Sequence, residues 1–95
     1  MFTLPDSLTT YNVKEVQEQL ILFVDELMEN GGEAILLDAS QVNDVDTAGL
    51  QLLLSVAKTA KEKKKEFFLI NRTEMLEQVI DMTGAKPILD KEENE

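Results

Sequence analysis

Two short apolar runs constrain this chain most. AILLDAS (34–40) follows Asn30-Gly31-Gly32, and EFFLI (66–70) follows a lysine-rich stretch. Both read as buried-type strands, and the four consecutive apolar residues of AILL predict a strand covered on both faces. Segments of helical period surround them. Val13, Val16, Leu20, Phe23, Val24 and Leu27 recur at spacings of three and four and define one helix face. Thr9, Thr10 and Asn12 offer capping side chains before that helix, and the glycine pair ends it. TAGLQLLLSVAKTAKEKK predicts a second helix from about Thr47 to Lys64, apolar nearly all round at its start and emerging into solvent through its lysines. After the second strand, Asn71 and Thr73 can cap a third helix with Leu76, Val79, Ile80 and Thr83 facing inward; Gly84 closes it.

FTLPDSL (2–8) reads as a first strand, placed at an edge or made irregular by Pro5, which has no backbone donor. PIL (87–89) reads as a last short strand and DKEENE (90–95) as a frayed acidic tail. Strands alternating with helices predict a small α/β layer. The expected arrangement is a mixed sheet of about four strands, with helices packed mainly on one face, in one domain over residues 1–95.

Composition removes whole classes of function. The chain has no cysteine, hence no disulfide, thiolate metal site or thiol nucleophile, and no histidine, the usual proton shuttle near neutral pH. No catalytic group, metal or cofactor is expected. A net charge of −10 gives no electrostatic drive toward nucleic acid or an anionic membrane. The charge is uneven: residues 1–57 carry ten acids against one lysine, whereas residues 58–72 carry six cations against two glutamates. That basic island reads as a solvated helix end, where cations suit the helix dipole. Without a leader-like start or an apolar run of about 20 residues, the expectation is a soluble, cytoplasmic protein.

The chemistry concentrates around DVDTAGL (44–50). Asp38, Ser40, Asp44, Asp46 and Thr47 fall on one strand end, one loop and one helix start, where open α/β sheets commonly place their sites. Thr47 or Asp46 stands as the N-cap. Ala48 and Gly49 are small enough to let a partner approach the helix start. Glycine costs about 1 kcal/mol against alanine in a helix, and close packing against the strand would equally account for it. Capping alone is one reading of the stretch. The other is that Thr47 accepts a phosphate, which would meet backbone N–H groups and the positive end of the dipole but also Asp44 and Asp46. Such a group would act by expelling an acidic or apolar partner. Gln51, Ser55 and Lys58 form one stripe further along the helix, read either as ordinary solvent exposure or as partner contact.

LLDASQVNDVDTAGLQLLL resembles the signature of STAS domains, the fold of anti-sigma factor antagonists. LPDSLTTYNVKEVQEQL is similar to that family's first strand and helix, and FFLINRTEMLEQVIDMTGAKPIL to its later elements. The resemblance implies a non-enzymatic bacterial binding module that switches a protein partner, a serine/threonine kinase/anti-sigma factor or related signalling protein, by phosphorylation. It places the acceptor at Thr47, with Ser40 a second candidate and Asp38 supporting the loop from the strand end. Threonine where many antagonists have serine also fits two other branches: STAS subunits that bind the ATPase of lipid-asymmetry ABC transporters, and chemotaxis-associated adaptors. Two further readings compete. A receiver-like domain would be phosphorylated on Asp38 and use Lys86-Pro87, but it needs an acidic pair after the first strand, where SLTTYN stands. A metal hydrolase would use Asp38, Asp44 and Asp46.

Overall fold

A computed structural model describes residues 1–90. The chain runs β1 (Phe2–Thr3), β2 (Ser7–Leu8), α1 (Val13–Glu29), β3 (Ala34–Asp38), β4 (Asp44–Val45), α2 (Thr47–Glu62), β5 (Glu66–Ile70), α3 (Glu74–Thr83) and α4 (Lys86–Leu89). The α/β class expected from the alternation is the class observed. Its sheet is parallel rather than mixed among the described residues: β1, β3 and β5 form one sheet with β3 central, and β2 pairs with β4 in a separate two-stranded ribbon.

The expected first strand is split in two. Phe2 and Thr3 pair with Leu37 and Asp38 at the edge of the main sheet. Leu4 donates its N–H to Asp38, and the chain then turns away at Pro5. Ser7 and Leu8 pair instead with Asp44 and Val45. A proline without a donor marks the break between the two pairings.

Burial alternates along β3: Ile35 and Leu37 are fully buried, whereas Ala34, Leu36 and Asp38 are partly exposed. The β3–β5 register puts Phe67 and Leu69 on the face of Ile35 and Leu37, and Phe68 on the face of Leu36. Phe68 is 45% exposed. The strand expected to be covered on both faces is therefore fully covered on one only. On the covered side, Phe2 meets Phe23 of α1 at 5.6 Å between ring centroids. Val16, Leu20 and Val24 of α1 and Leu52, Leu53 and Val56 of α2 join the same core. Each such side chain contributes on the order of 1.5–3 kcal/mol by leaving water.

The helix ends show which polar side chains the fold uses. Asn12 precedes α1 but does not cap it; its amide donates to the Ser7 carbonyl at 2.7 Å and its oxygen accepts from Thr9 N–H. Thr73 caps α3 by accepting from Leu76 N–H, and Gly84 ends that helix at φ +73°. Asn71, also expected to cap, stands in the left-handed region at φ +57° and turns its side chain to Asp38. Thr83, expected on the inward face of α3, is exposed and bonds back to the Val79 carbonyl.

PIL (87–89) is helix, not strand. Pro87 sits in the first turn of α4, where its missing N–H costs nothing, and Leu89 is buried. Asp90, assigned to the frayed tail, is held in place. It accepts both terminal nitrogens of Arg72 and the ammonium of Lys86. The Arg72 side chain is only 9% exposed, and its Nε donates to the Leu69 carbonyl. The remainder of that expected tail, 91–95, lies outside the described residues.

Arg72 beside Asp90 holds its carboxyl below the usual aspartate range. A carboxylate whose folded pKa is lowered contributes stability above its unfolded pKa and loses it as pH falls through the folded value. Asp90→Asn is therefore expected to lower stability at neutral pH by about 1 kcal/mol, solvent on the exposed side screening part of the effect. The gap to the wild type should close in acid, as read by urea denaturation at a series of pH values.

Candidate functional site

The start of α2 is built by two neighbouring strands. Asp46 N–H donates to the Leu8 carbonyl at 3.2 Å, continuing the β2–β4 pairing, and its extended backbone hands the chain to the helix. Asp46, not Thr47, is the N-cap: its carboxylate accepts Gly49 N–H at 3.0 Å. The other carboxylate oxygen accepts both Thr10 N–H at 2.9 Å and the Thr10 hydroxyl at 3.1 Å. One side chain therefore joins the turn before α1 to the first turn of α2. The Asp46 carboxyl is pulled below the ordinary range first by Thr10 N–H and then by Gly49 N–H.

Gly49 is buried, and its place explains its identity. A methyl group there would overlap the carbonyl oxygen of Leu8 and stand 2.7 Å from the carbonyl carbon. The missing side chain lets α2 close on β2, and that packing accounts for the glycine. Ala48 is half-buried, and Thr47 is exposed as the first residue of the helix. The Thr47 side chain takes no part in a hydrogen bond among the described residues, so its hydroxyl faces solvent uncommitted. Asp44 is exposed beside it, and Gln51, Ser55 and Lys58 are exposed along the helix.

Asp38 belongs to a different cluster. Its carboxylate accepts Ser40 N–H at 3.0 Å and the Asn71 amide at 3.2 Å, and these two contacts, in that order, hold its pKa low. Ser40 is exposed. The loop between the clusters is tied down along its length: Ala39 N–H to Ile70, Asn43 N–H to Asp6, and Thr73 hydroxyl to the Val42 carbonyl at 2.6 Å. Asp38 thus anchors the entry of the loop and Asp46 its exit.

Two competing readings lose their geometry here. Among the described residues no three acidic side chains converge on a metal-sized site, so Asp38, Asp44 and Asp46 do not meet as the metal-hydrolase reading would require. Lys86 pairs with Asp90 on α4, not with Asp38 as a receiver would require.

Sequence reasoning missed Thr10 and Tyr11. Thr10 was visible only as a possible cap, since its partner lies 36 residues away. Tyr11 is 98% exposed next to it; a lone tyrosine between threonine and asparagine, outside every apolar period, was the available signal.

Two outcomes check this construction. Gly49→Ala should lower stability by about 2 kcal/mol or more in urea unfolding, overpacking against the Leu8 backbone outweighing the helix propensity alanine gains. In an acid titration followed by NMR, the Thr10 and Gly49 amide resonances should move together with a midpoint below the ordinary aspartate range, and Asp46→Asn should abolish that shared step.

A family model for the STAS domain matches residues 1–95. Domains of this kind serve in general as regulatory and protein-binding modules. With its parallel α/β layer and the loop-to-helix junction at Asp46-Thr47, the chain belongs to the STAS domain family.

Proposed function

We propose that this protein is a non-enzymatic switch of the anti-sigma factor antagonist type, which binds a protein partner through the start of α2 and releases it on phosphorylation of Thr47. The partner is a serine/threonine kinase/anti-sigma factor or a related signalling protein. The observation that carries the reading is an exposed, uncommitted hydroxyl directly after a capping carboxylate. A phosphate at a bare helix N-terminus is normally welcome. Here Asp46 already occupies Gly49 N–H. A group of charge about −1.5 to −2 would therefore meet two neighbouring carboxylates and few free donors. It would be repelled outward into the partner's space, and it would compete with the Asp46–Thr10 tie.

Ser40 is a second acceptor by exposure, but its own N–H serves the Asp38 turn. Asp38, Asp44 and Asp46 shape the loop, and Gln51, Ser55 and Lys58 extend the contact surface along α2. A constitutive role, as the STAS subunit bound to the ATPase of a lipid-asymmetry transporter or as a chemotaxis-associated adaptor, uses the same surface without modification.

Pull-down from the protein's own cells with wild type, Thr47→Ala and Thr47→Glu distinguishes these roles. The switch requires Thr47→Ala to retain the partner and Thr47→Glu to lose it by at least about tenfold, a change of about 1.4 kcal/mol. Both variants should stay folded, because Asp46 supplies the cap. Equal capture by all three, with a transporter ATPase as the recovered protein, would replace the switch with the constitutive role.

A further inference from the structure

α1 and α2 lie side by side and leave an open groove between them. It consists of two adjoining depressions of about 210 and 140 Å³ that share Gln17, Leu52 and Ser55. The first begins at Val13 and Ala48, one residue from Thr47; the second ends at Asp25 and Lys63. Val13 to Asp25 spans about 18 Å at 1.5 Å per residue, the length of a helix of about 12–15 residues. The floor is apolar: Leu20, Val24, Leu52 and Val56. Ile21 forms the lip on the α1 side and is 52% exposed, an aliphatic side chain held at the groove with half its surface in water.

The charge of the α1 wall is one-sided. From Glu15 to Glu29 the helix carries five carboxylates and no cation, Lys14 just before them being the sole one on that helix. Asp25 lines the groove one turn after Ile21, and Glu18, outside the lining, stands one turn before Ile21 on the same side of the helix; both are exposed. None of the five enters an ion pair among the described residues. Lys63, at the far end, is the one cation among the residues that line the groove; over the rest of its length an apolar channel runs beside an acidic helix, which is complementary to one kind of ligand.

We infer that the α1–α2 groove is a docking site for a basic amphipathic helix of about 12–15 residues presented by another protein, its aliphatic ridge on Leu20, Ile21, Leu52 and Val56 and its lysines or arginines against Glu18 and Asp25. This site does not depend on Thr47 being modified. It shares Gln51 and Ser55 with the contact surface proposed above, but would take its ligand whether or not the switch operates.

The test uses two synthetic 14-residue helical peptides with the same leucine ridge, one flanked by lysine and one by glutamate. They are titrated into the ¹⁵N-labelled full chain and into its Ile21→Gln and Glu18→Gln/Asp25→Asn variants. All substituted positions are exposed, so folding is expected to be kept and is checked from the same spectra. The expected result is binding of the lysine peptide with shifts confined to the groove. Ile21→Gln should weaken it about tenfold or more, the paired charge variant should weaken it and flatten its salt dependence, and the glutamate peptide should bind more weakly. A lysine peptide that ignores Ile21→Gln and spreads its shifts over the acidic surface is attracted by net charge alone, and the inference fails. It also fails if the glutamate peptide binds as well, if neither binds at millimolar concentration, or if sedimentation shows a second copy of this chain already seated on Ile21.

Discussion

The carboxylate of Asp46 holds two distant pieces of chain together, and the site exists because it does. One oxygen takes Gly49 N–H and starts α2; the other takes the backbone and hydroxyl of Thr10 and fixes the turn that leads into α1. Its own N–H closes onto Leu8, whose carbonyl in turn forbids any side chain at position 49. Removing any member of this set would shift the helix that presents Thr47, the turn that carries Tyr11, or both. Because the cap role falls to Asp46, Thr47 is left free of structural duty. A residue that caps its own helix is poorly placed to be modified without unfolding its surroundings, and this one is not so constrained.

The rest of the architecture serves to make that junction rigid. β3 delivers the chain to the loop through Asp38, which is locked by Ser40 N–H and Asn71. The loop is pinned from three sides, by Ile70, Asp6 and Thr73. Arg72, nearly buried, ties the end of β5 to Asp90 and so secures α4 against the sheet. A pre-organised loop costs less ordering when a partner binds, and a charge added to it is felt by the partner rather than dissipated in loop motion.

Much of the fold was legible in the residues because its helices are strongly periodic and its two long strands are short apolar runs between them. The differences have local causes. Residues 87–89 carry no period, so an apolar triplet reads as strand although Pro87 suits the first turn of a helix equally well. AILL hid its alternation because the less covered face of β3 and β5 also carries apolar side chains, Leu36 and Phe68. Pro5 signalled irregularity but not that the two halves of the first segment would pair with different strands. At the site, the clustering of Asp38, Asp44, Asp46 and Thr47 near one junction was readable from spacing. Its division into two hydrogen-bonded clusters was not, nor was Thr10, because those contacts join residues more than thirty positions apart. Gly49 stands out in the sequence as an unfavourable choice in a helix; the contact with Leu8 supplies the reason that helical propensity alone could not.

The central claim is that Thr47 is a phosphate acceptor. Fragmentation mass spectrometry of the intact protein, purified from its own cells under several growth conditions, tests it most directly. The account requires a phosphoryl group on Thr47 in at least one condition. A Thr47 that is unmodified throughout, or a phosphate confined to Ser40, would contradict it.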